Sequence, residues 1–168
     1  MKFLSERNIE MHKAYLNELM LKYRIFEKSY SELIGKDLNE IYRLNIQREE
    51  KRLAAKLFAE ISAHKIYFSS FGERNTSSDR VKSEFGSVAQ FLYEITEKCK
   101  GQSSGFLLIY DNGNNLETYC GDEYEHVLRR KKVALALDLC EHAYFYDYGF
   151  GKEEYVRNAV THFNLNKL

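Results

Sequence analysis

The sequence predicts an α+β fold: an N-terminal antiparallel helical hairpin over residues 1–72, then a lobe over residues 79–168 with a three-stranded antiparallel sheet and flanking helices. Three observations predict it. The first stretch, from Ser5 to about Tyr30, is rich in Leu, Met, Lys and Glu and holds no glycine. The apolar spacing changes after Gly101, from a helical repeat to short continuous runs. Between two of those runs sits Asp111-Asn112-Gly113-Asn114, a strong hairpin signal.

The elements follow in order. Gly35 ends the first helix pattern, and Asp37 opens a second as N-cap, with Glu40 three residues on to complete a capping box. The later half of that helix sets Leu53, Leu57, Ile61, His64 and Phe68 at spacings of three and four, which is one helix face. His64 therefore points inward, and Glu60 lies one turn earlier on the same side. The polar stretch GERNTSSD (Gly72–Asp79) is the best internal boundary. Asp79 is placed to cap a third helix carrying Val81 and Phe85. Gly86-Ser87 interrupts it, and Ser87 caps a continuation through Ile95 to Cys99, closed by Gly101. Phe106–Tyr110 and Glu117–Cys120 are the hairpin strands. A third apolar run, Val133–Leu137, ends in Asp138, and Glu153–Phe163 reads as a closing helix after Gly149 and Gly151.

At 168 residues the chain suits one domain or two small lobes sharing a core. Its 25 basic and 25 acidic residues balance, so no global field argues for nucleic acid or a membrane surface. No apolar run approaches the roughly 20 residues of a spanning helix. The opening MKFLSERNIE lacks the apolar core of a secretory signal. Cys99, Cys120 and Cys140 form an odd, widely spaced set, a poor disulfide framework that suggests a reducing compartment, the cytoplasm. Proline and tryptophan are absent, while there are 13 Tyr and 11 Phe.

Chemistry concentrates in VALALDLCEHAYFYDY (Val133–Tyr148). An acid placed directly after a fully apolar strand is costly to bury unless a cation or a donor meets it. His142 follows Asp138 by four, with Glu141 beside it, and carboxylate plus neutral imidazole suits iron, manganese or zinc. Alone, Asp-x-x-x-His favours the plainer reading of a capping Asp and a satisfied core His.

The surrounding text shifts that balance. DLCEHAYFYDYGFGKEEYVRNAVTHFNL (Asp138–Leu165) resembles the signature region of the iron/manganese superoxide dismutase family, in which Asp-x-Trp-Glu-His-Ala-Tyr supplies two metal ligands. The resemblance extends through SSGF (Ser103–Phe106) and SEFGS (Ser83–Ser87). AHKIYF (Ala63–Phe68) is similar to the family's Asn-His-x-x-Tyr-Trp, and LSERNIEMH (Leu4–His12) to its opening. It implies that His12, His64, Asp138 and His142 hold one iron or manganese ion per chain, between the two lobes. It further implies superoxide as substrate, disproportionated to oxygen and hydrogen peroxide, with Tyr15 and Glu60 orienting solvent and relaying protons. Glu141 implies a homodimer. The residues agree independently: two inward His from a helical hairpin and an Asp/His pair from a strand-to-helix turn are able to surround one metal and leave it an open position. His126 and His162 match no ligand position and are expected at the surface.

The chain also departs from the family pattern. Tyr15 follows His12 by only three residues, in HKAYLNEL, so its register as the active-site tyrosine differs. His12 also aligns with a second His region of the family, which would leave the first ligand position empty. Glu60 stands where iron-type members carry a Gln; Phe68, Phe106 and Cys140 stand where they carry tryptophans; Phe145 replaces a Tyr that reaches across the dimer. Arg129–Lys132 (RRKK) reads as a solvated loop or as an anion-steering patch. Two rivals follow from these departures. One is a protein that keeps the fold in a structural or binding role without dismutase activity. The other is a metal site with different redox or hydrolytic chemistry, using Glu60 as an extra carboxylate.

Overall fold

The computed structural model describes residues 3–72 and 78–168. Its elements are α1 (Glu6–Ser29), α2 (Leu38–Arg43), α3 (Arg48–Ser69), α4 (Asp79–Phe85), α5 (Val88–Lys100), β1 (Phe106–Asp111), β2 (Leu116–Gly121), α6 (Glu125–Arg130), β3 (Val133–Asp138), α7 (Phe145–Tyr148) and α8 (Lys152–Val160). The fold is α+β as expected, helices first and then a three-stranded antiparallel sheet in the order β2-β1-β3 with helices around it.

Local signals place several boundaries. Ser5 caps α1 by accepting from the Asn8 N–H, and Asp37 and Glu40 complete the expected capping box on α2. Ser87 caps α5, and the Asn-Gly turn joins β1 to β2. Other boundaries differ. The second helix is split: Leu44 takes extended backbone at ψ 148°, and α3 restarts at Arg48. The break lets α2 fold back so that Leu38 and Ile41 bury against Ala54 and Ala55 of α3, joined by Leu33 and Leu19. A continuous helix would carry those side chains past this core, so burial overrides helix propensity.

The buried face of α3 also differs from the expected one. Leu53 is 49% exposed, while Ala54, Ala55, Ala59, Ala63, Ile61, His64 and Tyr67 are buried. Close approach of α3 to its neighbours selects alanines there, and side-chain size misleads a reading by hydrophobicity alone. Ser78, not Asp79, caps α4. The expected linker Gly72–Asp79 falls largely on residues 73–77, outside the described residues. The run Arg129–Lys132 begins inside the short helix α6, with the Arg129 guanidinium 4.7 Å over the Tyr42 ring. The last helix stops at Val160, and Phe163 leaves it to bridge Phe71.

Two apolar clusters result. One lies around the sheet, and the other joins α1, α2 and α3; Tyr124 and Leu128 touch both. Ser70, fully buried after α3, donates from its hydroxyl to the Ile66 carbonyl and accepts from the Ala136 N–H of β3 at 2.7 Å. That pair fixes the helix that carries His64 against the strand that ends in Asp138.

Candidate metal centre

Each of the four candidate ligands is held by a different local device. His12 lies on the buried stripe of α1 with Asn8, Leu19 and Tyr23. Asn8 Nδ2 donates to the Ala143 carbonyl at 2.7 Å, and Ser5 donates twice to Asp147, so the start of α1 is pinned to the turn after β3. His64 donates from Nδ1 to the Glu60 carbonyl at 2.8 Å; a carbonyl only accepts, so Nε2 is left with its lone pair. Asp138 closes β3, where Phe106 of β1 is its register partner. Its Oδ1 accepts from the Cys140 N–H at 2.9 Å and its main-chain carbonyl accepts from the Tyr155 hydroxyl at 2.9 Å, which leaves Oδ2 free to turn inward. Gly105 sustains this strand end. Its carbonyl accepts from Leu139, and at φ +87° a Cβ there would meet the Gly121 carbonyl oxygen at 2.2 Å. His142 sits in a single turn at Glu141–Ala143.

The three imidazole Nε2 atoms converge on one carboxylate oxygen. They lie 3.1 Å (His12), 3.2 Å (His64) and 2.8 Å (His142) from Asp138 Oδ2. His64 Nε2 and His142 Nε2 are 3.3 Å apart, and one ligand atom from each of the four residues lies within 4.8 Å of all the others. Neither ring nitrogen of buried His12 has a hydrogen-bond partner; its Nε2 is near Oδ2 without hydrogen-bond alignment. Nitrogen lone pairs this close to an anionic oxygen repel unless a proton or a cation lies between them, and His142 Nε2 is within hydrogen-bond distance of Oδ2. Nitrogen and oxygen donors bond such an ion at about 2.0–2.2 Å, so the four donor atoms are near enough to one another to share one. The donor set, three nitrogens and one carboxylate, also suits iron or manganese.

The electrostatics point the same way. Burial alone would raise the Asp138 carboxyl, but the three imidazoles outweigh it and hold it well below the usual carboxylate range. Burial pulls His12 below 6.5 despite Asp138. Burial acts on His64 as well, but Asp138 and the Glu60 carbonyl overcome it and hold that ring above 6.5.

Aromatic and polar neighbours enclose the cluster. The Tyr15 ring lies 4.2 Å from that of His142, and its hydroxyl donates to Glu60 Oε1 at 2.6 Å. Burial and Glu60 push that hydroxyl well above the ordinary tyrosine range. Tyr67 and Phe68 pack on His12 at 4.8 and 5.0 Å, and Phe106 on His64 at 5.2 Å. Glu60 is outside the metal-competent group, which among the described residues comprises only the four. Cys140 is half-buried, its Sγ accepts from the Gly105 N–H, and burial pushes its thiol up to about 12. His126 is exposed, and half-buried His162 is satisfied by the Asn158 carbonyl. Tyr124 was not expected: it packs on Phe106 at 5.0 Å, and burial, then Glu60 and Asp138, raise its hydroxyl strongly. A tyrosine within DEYEH reads as surface, and nothing local marks it.

The model of the iron/manganese superoxide dismutase C-terminal domain matches residues 73–168, more than half of the chain. The chain belongs to the iron/manganese superoxide dismutase family. Its similarity to individual members is modest. A protein named superoxide dismutase (Fe) from Cupriavidus metallidurans is 29% identical over 124 residues, 69% of this chain and 61% of that one. A superoxide dismutase (Mn) from Halobacterium salinarum is 35% identical over 81 residues, 47% of this chain and 40% of that one. A superoxide dismutase (Mn/Fe) from Rickettsia prowazekii is 24% identical over 159 residues, 90% of this chain and 76% of that one. The chain thus spans less than two thirds of the first two relatives. These family members are named for iron, manganese or both, and His12, His64, Asp138 and His142 form one candidate site for such an ion. No helix among the described residues is long and apolar enough to cross a membrane.

Proposed function

We propose that this chain is a superoxide dismutase that uses one iron or manganese ion held by His12, His64, Asp138 and His142. The observation that carries the reading is the approach of three imidazole Nε2 atoms to Asp138 Oδ2 in a member of this family. A bound ion of either metal supplies the one-electron exchange that turns one superoxide into oxygen and a second into hydrogen peroxide. The chain's own groups do the rest. Asp138 adds a negative charge to three neutral donors and so favours a cation in the pocket. The Glu60 carbonyl fixes the tautomer of His64. Tyr15 and Glu60 share a proton across a 2.6 Å hydrogen bond beside His142, which suits them to orient solvent and pass protons to a reduced anion.

A cavity of about 290 Å³ lined by Asn8, Met11, Glu141, His142, Phe145 and Tyr146 is the route by which a small anion reaches the His142 side. Exposed Met11, Phe145, Tyr146 and Phe150 surround exposed Glu141, and this patch suits a homodimer. Three free cysteines and zero net charge fit a reducing cytoplasm and no nucleic-acid partner.

The test is superoxide consumption by protein loaded with iron or manganese, compared with the same concentration of free ion. Elemental analysis should show one ion per chain, and the loaded protein should outpace the free ion. Protein that retains metal but consumes superoxide no faster than the free ion supports a family member without dismutase activity, the reading that the absence of pocket tryptophans favours.

A further inference from the structure

The sulfurs of Cys99 and Cys120 lie 3.8 Å apart, across the packing of α5 on the edge strand β2. Both cysteines are free, and neither takes part in the centre described above. Cys99 is 2% exposed at the last turn of α5, and Cys120 is half-buried. A cleft of about 20 Å³, lined by Cys99, Thr96, Lys100, Lys152, Glu153 and Val156, opens on the Cys99 side of the pair and admits a water-sized molecule. Two lysines frame the pair. Lys98 Nζ donates to the Thr118 carbonyl and hydroxyl on β2, and Lys152 Nζ donates to the Gln102 carbonyl.

We propose that Cys99 and Cys120 are a peroxide-sensitive dithiol that closes reversibly to an intramolecular disulfide, stapling α5 to the sheet edge. The sulfurs need only close from 3.8 Å to the bonding distance of about 2.05 Å. Cys120, half-buried where Cys99 is closed to solvent, is the attacking sulfur. Its Cys99 partner, with Lys152 and Lys98, holds its thiol below the ordinary range against burial, whereas contact with Cys120 and burial push Cys99 above it. The Cys120 thiolate attacks one peroxide oxygen and breaks the O–O bond, giving a sulfenic acid and releasing water after protonation. The Cys99 sulfur then attacks the sulfenic sulfur and a second water leaves. Two thiols lose two electrons and two protons, and one hydrogen peroxide becomes two waters. The inference does not depend on the dismutase reading, since the peroxide is supplied from outside.

The experiment treats the reduced, unaltered protein with equimolar hydrogen peroxide, alkylates it, and digests it without reduction using a protease that cuts after Glu. Cleavage after Glu97, Glu117 and Glu123 separates residues 98–117 from residues 118–123. The expected product joins these two peptides, lighter by two hydrogens than their sum, with Cys140 alkylated; dithiothreitol returns three alkylated cysteines. In Cys99→Ala, a dione probe should trap the sulfenic acid on Cys120 instead. Recovery of Cys99 and Cys120 both alkylated, a Cys120 sulfinic acid without the crosslink, or a crosslink through Cys140 would overturn the proposal. The crosslink is read on the native chain, so a variant that fails to fold does not blunt the result.

Discussion

The side chains of His12, His64 and Asp138 are 0–1% exposed, whereas His142, from the turn after β3, keeps 29% of its side chain in solvent. The inner three are contributed by two long helices and the end of β3, locked by Ser70, Tyr155 and Asn8. The outer side is a single turn, roofed by Tyr15 and bordered by an open cavity. A rigid, dry half suits holding an ion, and an accessible half suits exchanging small anions and protons. The division of labour is testable because the two halves should respond differently to substitution.

Asp138→Ala should have the largest effect. It removes the one oxygen shared by three imidazoles, and bound metal should fall by at least about 100-fold, more than the loss of a supporting hydrogen bond costs. Elemental analysis after dialysis reads it; full occupancy would break the assignment. Tyr15→Phe, on the outer half, should leave metal content intact while superoxide turnover drops by up to about 100-fold. If it instead emptied the site like Asp138→Ala, the two halves would not be separable.

Smaller effects sharpen the same contrast. Ser70→Ala leaves the buried Ala136 N–H without an acceptor and should cost about 1–3 kcal/mol of stability in denaturant unfolding. Asn8→Ala frees the Ala143 carbonyl beside His142 and should cost about 1 kcal/mol, with metal affinity changed less than by Asp138→Ala. Acid should also release the ion. His64 without metal holds its proton to a pH above 6.5, and a metal needs the neutral ring, so occupancy should fall as pH drops through that region and recover as it rises. Occupancy unchanged down to the carboxylate range would contradict that competition.

The residues of the candidate centre stand out in the sequence because most of them carry a local sign. Asp138 is an acid closing an apolar strand, His142 follows it by four, His64 lies on a helix with apolar neighbours, and the flanking words resemble those of the family. His12 was the ambiguous one, with two possible alignments, and only its place on the buried stripe of α1 beside Asp138 brings it to the cluster. Tyr124, Ser70 and Asn8 carried no sign, since polar residues that support a site look like ordinary surface residues until a neighbour distant in sequence arrives.

By itself the sequence determined several caps and turns: the Ser87 cap, the Asp37–Glu40 box, the Asn-Gly hairpin and the strand ending in Asp138. These depend on contacts within a few residues, which the local order of side chains specifies. Tertiary structure decided the break between α2 and α3, the alanine face of α3, the split of Asp138 into one oxygen for the backbone and one for the imidazoles, and the meeting of Cys99 with Cys120. Each of those depends on how closely two surfaces approach, and close packing is a property of the pair, written in neither strand nor helix alone.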